Sequence, residues 1–183
     1  MDGSFYLDTR EPFISADQAA VTLSTTDKAL YSASAFPALG GQYFARPGKK
    51  LKIRLFGKIT TDTTPGNGTF AVYFGTGADA NGVLLASSAA HTLIASQTNL
   101  SWECEVYVHC RSTGSAGTLF VTGVWRFNTA VVAAGSGLIP ASAAVVSGSC
   151  DLTSALIVSV QYKRSGSTVE TMAVQDMEVT ALN

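Results

Sequence analysis

Residues 100–111 read L-S-W-E-C-E-V-Y-V-H-C-R, and this segment indicates the class of fold more clearly than any other part of the chain. Apolar side chains recur at every second position of this stretch, and the positions between them are polar or charged. Because successive side chains of a β-strand point to opposite faces of a sheet, this alternation predicts a long strand with one buried face. We expect the buried face to consist of Leu100, Trp102, Cys104, Val106, Val108 and Cys110.

The same alternation recurs in residues 49–61, and turn residues separate further extended segments. No amphipathic helix longer than a turn or two is predicted between them. These other segments cover residues 20–23, 69–75, 83–86, 91–95, 117–128, 156–164 and 168–180. The pattern predicts an all-β fold, an eight-stranded jelly-roll-like β-sandwich, with an immunoglobulin-like sandwich as the alternative.

Composition and charge set the size of the fold and exclude some partners. The chain has 183 residues, which is enough for one domain with a full core. Residues 1–18 show no periodicity, so we expect an extended N-terminal arm there and the sandwich domain at 19–183. The net charge of −1 gives no overall bias toward nucleic acid or membranes. No secretory signal pattern begins the chain, so we expect synthesis in a cytoplasm.

The cysteines and histidines give no sign of a disulfide framework or a metal site. Three cysteines are an odd number, and Cys104 and Cys110 lie about 20 Å apart along one strand, too far to bridge. We expect these two and Cys150 to be buried, reduced thiols. His109 points away from the neighbouring cysteines, and His91 has no ligand spacing around it. We therefore expect neither a metal nor another cofactor.

No motif in the chain supplies a catalytic site. Glu103 and Glu105 lie about 7 Å apart on one strand face, a separation also found in glycosidase carboxylate pairs. Two exposed carboxylates opposite basic neighbours explain them better. The loop at 79–82, D-A-N-G, lacks the further carboxylates of a calcium loop and is predicted to be a turn. The sequence contains neither G-x-S-x-G nor a phosphate loop, so we expect no enzyme.

A basic patch is the one charge anomaly of the chain. No acidic residue occurs between Lys28 and Thr61, whereas basic residues are concentrated there. The patch could meet an acidic partner surface, or it could be a solvated face that prevents edge-to-edge pairing of sheets. Nucleic acid is a weaker alternative, because few aromatic residues accompany the charges. The candidate partner-binding residues are Arg10, Arg46, Lys49, Lys50, Lys52, Arg54 and Lys58.

The segment from 117 to 149 predicts contact with a second copy of the chain. Apolar residues occupy both faces of the strand at 117–128, which indicates either a sheet covered on both sides or a β-bulge at Gly123. Residues 129–149 carry no charge. Burial within one subunit is the alternative to a homo-oligomer, most simply a homotrimer. The candidate interface residues are Phe120, Val124, Val131, Val132, Leu138 and Ile139.

Two quoted stretches carry a resemblance to a known type of protein. They are D-T-R-E-P-F-I-S-A-D-Q at 8–18 and A-L-Y-S-A-S-A-F-P-A-L-G-G-Q-Y-F at 29–44, beside strands rich in glycine, alanine, serine and threonine. Together they resemble small jelly-roll virion proteins of tailed bacteriophages, namely head decoration, cement or head-fibre subunits. The resemblance implies a non-enzymatic protein on the capsid surface of the virion, commonly a trimer. It also implies contact with the major capsid protein or another virion protein, with the arm gripping the shell.

A tail or fibre module that recognises host surface glycans is the alternative function. Such a site would need exposed aromatic rings with polar neighbours. Tyr107 and the loop at 79–81 are the candidates for it.

Overall fold

Strands form almost all of the regular structure in the computed structural model, which describes residues 17–36, 39–41, 43–130, 133–143, 146–166 and 168–182. Its eleven strands are β1 (Val21–Thr22), β2 (Lys28–Ala29), β3 (Lys50–Thr60), β4 (Asn67–Gly75), β5 (Val83–Ser87), β6 (His91–Thr92), β7 (Leu100–Ser112), β8 (Thr118–Ala130), β9 (Ala133–Ile139), β10 (Ile157–Arg164) and β11 (Thr171–Ala181). One short 3-10 helix covers Ala33–Ala35. No helix in the described part of the chain has the length and apolar character to cross a membrane.

The strands form two antiparallel sheets that pack face to face. The six-stranded sheet has the order β1-β11-β3-β7-β8-β9. The five-stranded sheet has the order β2-β10-β4-β5, and β6 adds to it by pairing with β4. The predicted all-β sandwich is therefore confirmed, because each sheet contributes one apolar face to a shared core.

The alternating segments bury the faces that their sequence predicted. In β3 the buried positions strictly alternate with half-buried ones, and β7 follows the same rule over most of its length. Trp102 is only 3% exposed, and Leu100, at the end of its strand, is half-buried. The period of two thus fixes which face of each strand enters the core.

Four aromatic rings join the two sheets at the centre of the core. The ring of Phe70 on β4 lies 5.6 Å from Trp102 on β7 and 4.9 Å from Trp125 on β8, measured between ring centres. Tyr162 on β10 lies 4.8 Å from the same ring. Aromatic pairs at these separations add to the free energy gained by burial alone.

Of the two alternatives for the strand at 117–128, the β-bulge at Gly123 is not found in the pairing of β7 with β8. The register of β7 with β8 continues through the pair Val106 and Gly123, and its irregularity falls between Cys110 and Ser112. A Cβ at position 123 would lie 2.5 Å from the backbone oxygen of Glu105. Glycine is therefore needed for a close approach of the two backbones, which a one-dimensional pattern does not distinguish from a bulge.

Two strands were not predicted, β2 and β9. Strand β9 has the sequence A-A-G-S-G-L-I, in which small residues hide any alternation. It forms because β8 offers it an edge along most of its length. Strand β2 has only two residues and pairs with β10.

The described end of the predicted N-terminal arm lies against the six-stranded sheet. The backbone N–H of Gln18 donates to the carbonyl of Val174 at 2.9 Å. The Asp17 carboxylate lies 3.4 Å from the ammonium of Lys58. Residues 1–16 of the predicted arm, including Arg10, lie outside the described residues.

We expect Trp102→Ala to lower the free energy of unfolding by about 3–5 kcal/mol, as deletion of a core aromatic ring does. The cause is the loss of the ring that packs on Phe70 between the sheets. Denaturant unfolding measures the change. Ser101→Ala, on the exposed face of the same strand, is the control and should change the free energy by less than about 0.5 kcal/mol. A loss below about 1 kcal/mol for Trp102→Ala would contradict this account of the core.

Candidate interaction surfaces

The basic patch of β3 lies between two acidic strands. Lys52, Arg54 and Lys58 project from the outer face of the six-stranded sheet, where β7 and β11 flank them. Glu105 of β7 and Glu178 of β11 are both register partners of Arg54. Antiparallel pairing therefore places a carboxylate on each side of the central guanidinium.

Glu105 is the centre of a network of charges on this face. Its Oε2 lies 2.9 Å from the Lys52 Nζ and 3.0 Å from the Arg54 Nε. The Tyr107 hydroxyl donates to its Oε1 at 2.9 Å. Burial by itself would raise the pKa of Glu105, but the hydrogen bonds from Lys52 and Tyr107 outweigh it and the pKa is lowered. The hydrogen bond to Glu105 likewise raises the pKa of Lys52.

Most residues of the basic patch have contacts inside the subunit. Lys58 lies near Asp17, and the ammonium of Lys49 lies 5.1 Å from the ring centre of Tyr43. Lys50 begins β3 opposite His109. The carbonyl of Arg46 accepts a hydrogen bond from the backbone of Lys49 in the turn before β3. Among the patch residues, Lys52, Arg54 and Lys58 are thus paired with carboxylates of the same subunit, and partner binding by the patch stays a prediction.

Both carboxylates of the pair on β7 take part in ion pairs with neighbouring strands. Glu103 is ion-paired with Arg126 of β8, and Glu105 is held by the network around it. A general acid needs a raised pKa, whereas that of Glu105 is lowered. Both carboxylates therefore serve to pair neighbouring strands.

The thiols are buried, as the sequence predicted. Cys104, Cys110 and Cys150 are all free of disulfides and buried. Burial raises the pKa of each thiol, which disfavours the thiolate that would act as a nucleophile or metal ligand. No group of three or more side chains suited to a metal ion occurs among the described residues.

The loop proposed for glycan contact is tied to its own subunit. The Asp79 carboxylate accepts hydrogen bonds from the Lys28 ammonium at 2.7 Å and from the Ala29 backbone N–H at 2.8 Å. The side chains of Asn81 and Thr76 are joined at 3.0 Å. Tyr107 is similarly engaged, because its hydroxyl is bound to Glu105.

The predicted oligomer interface divides into exposed and buried residues. Leu138 is 71% exposed and lies opposite Val124, which is half-buried. The ring of Phe120 is half-buried beneath the Arg111 guanidinium, at 4.6 Å from the ring centre. Ile139 is 1% exposed, so including its side chain in an intersubunit contact is corrected: alternation turns it into the core. Val131 and Val132 lie outside the described residues.

A groove beside these residues was not predicted from the sequence. It has a volume of about 350 Å³ and lies between β5 and the chain that follows β9. Leu84, Pro140 and Val146 contribute its apolar walls. The uncharged stretch at 129–149 pointed to one wall, but nothing in the sequence indicated that β5 would form the other.

The chain matches no known protein-family model and no curated protein sequence.

We expect all three cysteines to react slowly with a thiol reagent in the folded protein. Burial keeps the reagent from reaching the sulfur atoms and disfavours the reactive thiolate form. Reaction with a colorimetric disulfide reagent at pH 8 measures this. The same reagent should report three thiols per chain once guanidinium has unfolded the protein. Rapid reaction of one full equivalent in the native state would contradict the burial.

We expect the protein to lose stability as the pH falls through the ordinary histidine range. Burial lowers the pKa of His91, and burial together with Lys50 and Arg111 lowers that of His109. The folded state thus favours neutral imidazoles. Their contribution is present above the unfolded pKa of about 6.5 and is lost as the pH falls toward the lower folded values.

Thermal melting between pH 7.5 and pH 5 tests this expectation. The lowered pKa values of Asp62, Asp79, Glu105 and Asp151 affect stability only in the more acidic range of carboxylates. His91→Gln combined with His109→Gln should therefore flatten the melting temperature over this interval. An unchanged slope in the double variant would contradict the assignment.

Proposed function

We propose that this chain is a non-enzymatic structural protein of a tailed-bacteriophage virion. It acts as a capsid decoration (cement) or head-fibre subunit that binds the outer capsid surface and stabilises the shell. Its partners are further copies of itself and the major capsid protein or another virion protein. The observation that carries the proposal is a β-sandwich whose charged outer face is satisfied internally, while an apolar, uncharged side stays exposed.

The order of the strands supports the jelly-roll form of the proposal. In both sheets a strand from the end of the chain lies between two strands from its beginning. Strand β11 lies between β1 and β3, and β10 lies between β2 and β4. Jelly rolls are double sheets built from two Greek keys, in which a late strand returns beside an early one. On this assignment β8 and β9 extend the six-stranded sheet beyond β7.

The state of the chemical groups supports a non-enzymatic role. The described carboxylates on β7 are ion-paired, and the thiols are buried with raised pKa values. Neither set resembles a nucleophile with its base or a pair of tuned acids. The protein's surface is thus suited to contact with other proteins.

The glycan-binding alternative has less support from the same geometry. Asp79, Asn81 and Tyr107 use their polar atoms within the subunit. A sugar would have to displace these contacts before it could bind. We therefore favour decoration of the capsid over a tail module.

Quantitative mass spectrometry of purified phage particles, together with a density map, tests the proposed function. We expect this chain at high copy number on the outer capsid surface. We also expect particles that lack it to release DNA at a lower temperature, and added protein to restore them. A few copies located on the tail would favour the glycan-binding alternative, and absence from the particle would overturn the proposal.

A further inference from the structure

Strand β9 is the long open edge of the sandwich. It ends the six-stranded sheet beyond β8, and no other described strand pairs with its outer side. The opposite edge, β1, has two residues, and the five-stranded sheet ends in the two-residue β2 and the five-residue β5. Short edge strands offer little to a partner, whereas the seven residues of β9 offer a full strand.

The backbone N–H and C=O groups on the outer side of β9 need hydrogen-bond partners. In an antiparallel sheet alternate residues bond to each neighbour, so roughly half of the β9 backbone groups point away from β8. A second strand of the same length would form roughly six to eight hydrogen bonds with them. The natural occupant of this edge is therefore another extended chain.

Nothing on β9 prevents such pairing. Edge strands are normally blunted by lysine, proline or an inward charge, but Ala133–Ile139 contains none of these. The nearest charged residues in sequence are Arg126 and Asp151. Like charges opposite each other would repel when a strand pairs with its own copy, and β9 carries no charge to repel.

Exposed apolar side chains accompany this edge. Leu138 lies on β9 itself, and Leu84 (47% exposed) and Val146 (49% exposed) line the adjacent groove. They are three of the five large apolar side chains exposed in the described residues. The other two, Val169 and Leu182, flank β11, which is separated from β9 by three strands.

We propose that a second copy of this chain pairs with β9. The two β9 strands run antiparallel about a twofold axis at Ser136, the middle residue of the strand, and join two six-stranded sheets into one of twelve. This register places Leu138 of each copy opposite position 134 of the other, so the same pair forms on both sides of the axis.

The proposal gives a surface and a symmetry to the self-association that is part of the proposed function. Twofold pairing is closed, so it gives a dimer and not the trimer that the resemblance implies. It is argued from the outer edge of β9 and its lack of charge, and not from attachment to a capsid. A monomeric protein would overturn this pairing and the self-association, but not attachment to the capsid, whereas a dimer missing from virions would overturn only the capsid role.

Disulfide trapping with Ser136→Cys tests the pairing. The introduced thiol is exposed, whereas the native cysteines are buried, so it is the reactive one. Residues opposite each other at the axis have Cα atoms about 4.5–5.5 Å apart, within reach of a disulfide. We expect mild oxidation to convert most of the protein to a covalent dimer, seen on a non-reducing gel. Val169→Cys, at a position 64% exposed and remote from β9, is the control and should stay largely monomeric.

A second variant tests the same edge without a covalent bond. Native mass spectrometry and sedimentation at tens of micromolar should give a dimer for the natural sequence. Leu138→Lys should weaken dimerisation at least tenfold, and Val169→Lys should leave it unchanged, with circular dichroism verifying the fold of both. A monomeric natural protein, equal trapping at positions 136 and 169, or an oligomer indifferent to Leu138→Lys would each overturn the proposal.

Discussion

The packing of Phe70 between the two sheets is the interaction on which the rest of the structure depends. Its ring contacts Trp102 and Trp125 from one sheet and Tyr162 from the other. Space for the Trp102 ring comes from the missing side chain of Gly57, where a Cβ would lie 2.6 Å from that ring. Since interiors are close-packed, this cluster fixes the separation of the sheets and the tilt of every strand that it touches.

Once the inner faces of the strands are buried, the register of strand pairing determines which side chains are neighbours on the outer faces. Because β3 pairs with β7 on one side and β11 on the other, Arg54 is placed between Glu105 and Glu178. The resulting ion pairs are half-exposed and contribute little stability individually. Their larger effect is to pair Lys52 and Arg54 with carboxylates of the neighbouring strands at the middle of this face.

The edges differ from one another in length and chemistry. Two of the four edge strands, β1 and β2, have two residues each and β5 has five, but β9 runs for seven uncharged residues beside exposed apolar side chains. A sandwich does not close its sheets as a barrel does, so each long edge must be blunted or used. The basic residues of β3 lie in the interior of the six-stranded sheet, so they do not blunt either of its edges.

The class of fold, the inner faces of β3 and β7 and the burial of the thiols could all be predicted from the sequence, because a period of two is a local property of a strand. The uncharged segment after β8 was also visible there. The pairing of the strands was needed to show that Gly123 marks a close approach, that Ile139 is core while Leu138 is exposed, and that Arg54 lies between Glu105 and Glu178. These facts depend on which strands, distant in sequence, become neighbours in a sheet. The alternation within one strand does not show which strand pairs with it or in which register.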